Sequence, residues 1–67
     1  MDTDFILFDN QIINKRDIIR IHKCKSNNIV SYGIRLVIRC AGEAIEWYGD
    51  DQSKRDYRFK DLIRELC

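Results

Sequence analysis

From Ile29 to Cys40 the chain alternates between two sets of side chains. Val30, Tyr32, Ile34, Leu36, Ile38 and Cys40 form the apolar set, and Ser31, Gly33, Arg35, Val37 and Arg39 fall between them. Successive side chains of a strand point to opposite faces, so this period of two predicts a long strand with one buried and one largely wet face. Such a strand must be paired on both sides and covered on its apolar face. Everything else in the chain is read as a means to that end.

Two turn signals supply its neighbours. Asn27-Asn28 lies between β-prone runs, and asparagine tolerates the positive φ of a two-residue hairpin loop. That loop pairs Ile21 with Ile34, Ile19 with Leu36 and Lys23 with Tyr32 on one face. On the other face it pairs Arg20 with Arg35, His22 with Gly33 and Cys24 with Ser31. Downstream, Ala41-Gly42 predicts a second short turn that brings Ile45 to Ile38 and Trp47 to Leu36. On the outer face it brings Ala44 to Arg39, Glu46 to Val37 and Tyr48 to Arg35. Both registers agree on which face is core, with Trp47 in it. Alanine resists positive φ, so a longer loop or a bulge is the alternative at the second turn.

Before this sheet, Met1–Asp4 reads as a short lead. Phe5-Ile6-Leu7-Phe8 is an uninterrupted apolar run, suited to a strand buried on both faces or shared with a partner. Asp9-Asn10 signals a turn, and Gln11-Ile12-Ile13 doubles back as a second short strand. Asn14-Lys15-Arg16-Asp17 is polar and turn-like, leading into a strand over Ile18–Lys25. A helix over Ile12–Ile21 competes, but the density of isoleucine there favours β structure. At the other end, Ser53-Lys54-Arg55-Asp56 resembles a capping box, and Phe59, Leu62, Ile63 and Leu66 form a stripe flanked by Tyr57. Arg58, Lys60, Asp61, Arg64 and Glu65 occupy the solvated side. The expected architecture is α+β: an antiparallel meander of four or five strands, with one helix from about Ser53 to Leu66 packed on the Ile34/Leu36/Trp47 face.

Size and composition bound the function. A chain of 67 residues without proline is a single small domain, and folding at that size buries only ~60% of the unfolded surface. So small a core makes self-association, as a homodimer or a higher assembly, an expectation. A formal net charge of +1 argues against a general nucleic-acid binder, whose footprint is basic. No signal-like or membrane-length apolar run occurs, which predicts a cytoplasmic protein. Cys24, Cys40 and Cys67 are odd in number and widely spaced, so they read as incidental or buried thiols and not as a disulfide framework.

Chemistry is sparse. His22 is the single histidine, no cysteine pair has zinc spacing, and the three glycines are isolated, so neither a metal site nor a phosphate loop is expected. His22 and Cys24 share a face at i, i+2, but nothing orients such a dyad, and no enzyme, catalytic residue or cofactor is predicted. Asp50-Asp51 reads as an acidic loop leading into the helix. The feature left over is the uncovered sheet face. The expected register sets Arg20, Arg35 and Tyr48 in one row, with His22, Gly33 and Arg39 around them and Glu46 diagonal to Arg35. Arginines placed opposite one another repel unless an anion or carboxylate lies between them. Arg20, Arg35, Arg39, Tyr48 and His22 are therefore candidate ligands for a phosphate, carboxylate or base. A solvated face with Arg–Glu pairs and a protein interface rich in Arg, Tyr and Trp are the alternatives. A glycine inside a strand weakens it, so Gly33 predicts either a bulge or a close approach from outside.

In its size, its lack of proline and its layout of a Phe5–Ile13 opening, a meander and a terminal amphipathic helix, the chain resembles small phage-encoded accessory proteins. That grouping includes the anti-defence sponges that sequester nucleotide signals. The likeness is one of layout across the whole chain, and no binding residue is carried over from it. It implies a non-enzymatic homo-oligomer whose nucleotide pocket forms between subunits.

Overall fold

The computed structural model describes residues 4–66. The lead over residues 1–3 and the thiol of Cys67 lie outside the described residues. Among the described residues, five antiparallel strands and one C-terminal helix make the α+β fold expected, with the strands divided between two sheets. Strands β1 (Phe5–Phe8) and β2 (Gln11–Asn14) form a hairpin of their own. Strands β3 (Ile18–Lys25), β4 (Tyr32–Ile38) and β5 (Gly42–Trp47) form the second sheet in that order, and helix α1 spans Gln52–Leu66.

The opening hairpin follows its turn chemistry. Asp9 and Asn10 both take positive φ, 52° and 59°, as a two-residue loop matching the strand twist requires. Phe8 then faces Gln11, Leu7 faces Ile12 and Ile6 faces Ile13. The Phe5–Phe8 run is buried on one face only: Ile6, Phe8 and Ile13 point into the core, whereas Phe5, Leu7 and Ile12 are exposed. After β2 a single 3-10 turn, Lys15–Asp17, breaks the pairing, with the Asn14 side chain accepting from Arg16 N at 2.9 Å. The hairpin therefore folds over the larger sheet and does not extend it. Its inward residues join Ile34, Leu36, Ile38, Ala44 and Leu62 in one core, against which Ile18, Ile21, Tyr48 and Phe59 also pack.

Both registers of the larger sheet differ from expectation, with different consequences. Asn27 and Asn28 do not take positive φ. Ser26 N donates to Ser31 O at 2.9 Å, and residues 27–30 form the loop between β3 and β4. Ile21 thus faces Leu36 and His22 faces Arg35. The slip is two residues, an even number, so the β3 side chains from Arg20 to Lys25 keep their faces. Ile29 and Val30 leave the strand and become exposed, and a bulge at Ile19 turns that residue out of the expected core.

The slip at the second turn is odd. Arg39-Cys40-Ala41 forms the loop, with positive φ at Cys40 (64°) and Gly42 (86°), and Ile38 faces Gly42. Leu36 then faces Ala44, Ile34 faces Glu46, and Gly33 faces Trp47. A shift of three exchanges the two faces of β5. Ala44 and Glu46 turn inward, while Ile45 and Trp47 move to the open face. The expectation that Trp47 belongs to the core is thereby corrected.

Helix α1 begins one residue earlier than expected, and its cap is Asp51, whose Oδ1 accepts from Lys54 N at 2.9 Å. That bond, and not the Ser53 capping box, explains the acidic loop. The helix buries Leu62 completely, half-buries Phe59 and Leu66, and leaves Tyr57 and Ile63 exposed. Arg55, four residues before Phe59, completes the inward stripe and is buried.

Candidate functional site

The open face of the sheet gathers only part of the expected site. Arg35 lies at its centre, between His22 on β3 and Ile45 on β5. Arg20 faces Val37 and not Arg35, and Arg39 sits in the exposed β4–β5 loop, where its backbone N donates to Asp17 O at 2.7 Å. The row of Arg20, Arg35 and Tyr48 therefore does not form. Arg35 Nη1 lies 4.0 Å from Glu43 Oε2, a diagonal neighbour across the strands, and its Nε is buried without an acceptor among the described residues. Gly33 is explained on the same face. An ideal Cβ there would lie 2.7 Å from Trp47 Cε3 and 3.0 Å from Glu46 O. What approaches Gly33 is the indole of the neighbouring strand, itself 48% exposed.

Tyr48 stands on the covered face, two residues beyond Glu46, because the odd register shift carried both inward. Its N donates to Tyr32 O at 2.8 Å, and Tyr32 N donates to Gly49 O at 2.7 Å, which prolongs the β4–β5 ladder past Trp47. The Tyr48 hydroxyl donates to Glu46 Oε1, and Arg58 Nε lies 3.7 Å from the same oxygen. Burial and then the adjoining Glu46 carboxylate push the Tyr48 phenol above its ordinary range. Glu46 Oε2 accepts from Asp9 N at 2.9 Å, and Arg58 Nη2 donates to Leu7 O at 2.8 Å. In a two-residue hairpin the Leu7 carbonyl points to the outer edge of β1, so Arg58 occupies that edge. This knot ties the hairpin, β5 and α1 together. Glu46, expected beside Arg35, and Arg58, expected in solvent, are structural.

A second group of cations lies where the covered face ends, beside the first turn of α1. Lys25 faces Tyr32, Lys23 faces Ile34, and Arg55 reaches back from the helix. Arg55 Nη1 donates to Cys24 O at 3.1 Å and Gly33 O at 3.3 Å, and its Nε donates to Asp56 Oδ1 at 2.7 Å. Lys23 Nζ lies 3.3 Å from the same Asp56 oxygen and 5.2 Å from the Phe59 ring centre. The Arg55 hydrogen bond, with Lys23 contributing, holds the Asp56 carboxyl below its ordinary range. Arg55 Cζ and Lys25 Nζ both lie over the Tyr32 ring, at 5.1 and 5.4 Å from its centre. Together with Cys24 and Gln52 these residues line an open hollow of about 420 Å³. Two sequence signals pointed here: lysines at 23 and 25 on the apolar face of β3, and an arginine at i−4 from Phe59.

Among the described residues, no three His, Cys, Asp or Glu side chains cluster as metal ligands would. Cys24 and Cys40 are free thiols, the first half-buried and the second exposed. No described helix is long and apolar enough to cross a membrane. No family model, curated protein or solved structure matches this chain.

Proposed function

We propose that this chain is a non-enzymatic binding module that self-associates through the outer face of its opening hairpin. The observation that carries this is the exposure of Phe5, Leu7 and Ile12, at 51%, 65% and 76%. All three lie on one face, with Leu7 and Ile12 directly across from each other. An apolar patch of this kind on a small domain marks an interface. A second copy is the occupant because so small a core gains most from a self-complementary apolar contact. Contact is face to face, since Arg58 already occupies the β1 edge at Leu7 O. Three side chains make a small contact, so the expected dimer has a dissociation constant of roughly micromolar order. Sedimentation equilibrium tests it. The wild-type chain should exceed the 8.0 kDa monomer mass at high concentration, and Leu7→Lys should return it to monomer. A single monomeric species up to about 1 mM overturns the reading, since a dimer of this order is then well populated.

A second reading, the sequestering of a phosphate-bearing anion such as a nucleotide, is favoured by the cations around Tyr32. The original candidate face supports it less, because Tyr48 is absent from it and its arginines are dispersed. An adaptor or inhibitor contacting another protein through Trp47 and Arg35 is the outcome expected if neither self-association nor anion binding is found.

A further inference from the structure

We infer that the hollow walled by Lys23, Lys25, Tyr32 and Arg55 is an anion site that takes a phosphate group and makes no use of a nucleobase. The inference rests on the sequestering reading and gives it a different place and a narrower chemistry.

Charge comes first. Three cations line the hollow, and the one carboxylate among the described residues that contacts them, Asp56, is shared between Arg55 and Lys23. Lys25 makes no ion pair with any described residue. Its Nζ is held over Tyr32 instead, on a strand whose register is set by the ladder to β4. Arg55 is anchored through Nε and Nη1, which leaves Nη2 without an acceptor among the described residues. A guanidinium so fixed is preorganised, and a phosphate oxygen is the acceptor that suits its remaining donors. The open face lacks this arrangement, since Arg35 is flanked by Ile45 and the nearby Glu43.

The aromatic ring narrows the ligand. A base binds an aromatic platform by stacking on a free ring face. Tyr32 already carries the Arg55 guanidinium and the Lys25 ammonium within 5.4 Å of its centre, so a base would have to compete with two cations for its ring. The groups left to meet a ligand are N–H donors. Recognition is therefore of phosphate charge and geometry, and whatever the phosphate is attached to extends into solvent.

The experiment is a titration followed by amide and arginine Nε–H resonances, with inorganic pyrophosphate, ADP and adenosine as probes at constant ionic strength. Pyrophosphate and ADP should give saturable shifts at Lys25, Tyr32 and Arg55 Nε, with affinities within a few-fold of each other, and adenosine should give none. Lys25→Glu should weaken pyrophosphate binding roughly tenfold or more, because an attractive charge becomes a repulsive one. Arg20→Gln on the open face should leave binding unchanged. Lys25 is exposed and outside the core, so its variant folds, which unchanged amide dispersion verifies. The inference is overturned if adenosine binds as ADP does, if the shifts map to His22, Arg35 and Trp47, or if they never saturate. Saturable pyrophosphate shifts at the open face would sink the location while preserving the sequestering reading; no saturable shift with any probe sinks both.

Discussion

Gly33→Ala tests whether the β4–β5 register is the one described. A methyl on Gly33 would meet Trp47 Cε3 at 2.7 Å, Trp47 Cζ3 at 3.0 Å and the Glu46 carbonyl at 3.0 Å. All three approaches are closer than ordinary van der Waals contact. Two opposing effects decide the outcome. Alanine restricts the unfolded chain more than glycine, worth about 0.5–1 kcal/mol in favour of the variant. Overpacking costs about 1–3 kcal/mol, and one obstacle is backbone held in the β4–β5 ladder. The indole is half exposed and can swing outward, which keeps the cost below the top of that range. The net expectation is a loss of about 1–2 kcal/mol, or roughly 4–16 °C in Tm for a domain of this size. Urea unfolding followed by far-UV circular dichroism measures it without relying on the indole. In a Trp47→Ala background two of the three contacts disappear, so the Gly33→Ala penalty should fall by about 1 kcal/mol. A neutral or stabilising Gly33→Ala, or an equal penalty in both backgrounds, would refute the register and return Trp47 to the core.

Other outcomes follow from the same geometry. Asn10→Val places a β-branched residue at a φ of 59° and should cost about 1–2 kcal/mol in urea unfolding. Asp51→Ala removes the acceptor for Lys54 N and should cost about 1 kcal/mol, whereas Ser53→Ala should change stability by no more than about 0.5 kcal/mol. Tyr48 ionises above its ordinary value of 10.0 because burial and Glu46 favour the neutral phenol. Its contribution to stability is therefore complete below pH 10.0 and is lost as the pH rises toward the folded-state value. Absorbance titration at alkaline pH should show Tyr48 ionising above the ordinary value of 10.0, and its loss in a Tyr48→Phe variant assigns it; ionisation at the ordinary value would contradict the part-buried Glu46 contact.

What the sequence determined by itself is what local chemistry controls. Alternation through Tyr32–Ile38 made β4 the central strand, Asp9-Asn10 specified the opening hairpin, and the Phe59/Leu62/Leu66 spacing specified α1, because strand period, αL tolerance and helix period act within a few residues. The faces of β3 from Arg20 to Lys25 were also legible, since a slip of two residues leaves them unchanged, whereas the bulge at Ile19 was not. Tertiary structure decided the rest. Whether Cys40 or Ala41 carried the extra positive φ was nearly balanced locally, yet it chose the face of every β5 side chain. That choice moved Trp47 onto Gly33, drew Tyr48 and Glu46 under the helix, and dissolved the expected Arg20/Arg35/Tyr48 row. Arg58 read as a surface residue on the helix pattern, and Arg55 only as part of a capping box. Their roles appeared only once the carbonyls of Leu7, Cys24 and Gly33 lay within reach, and nothing within one segment of chain encodes that proximity.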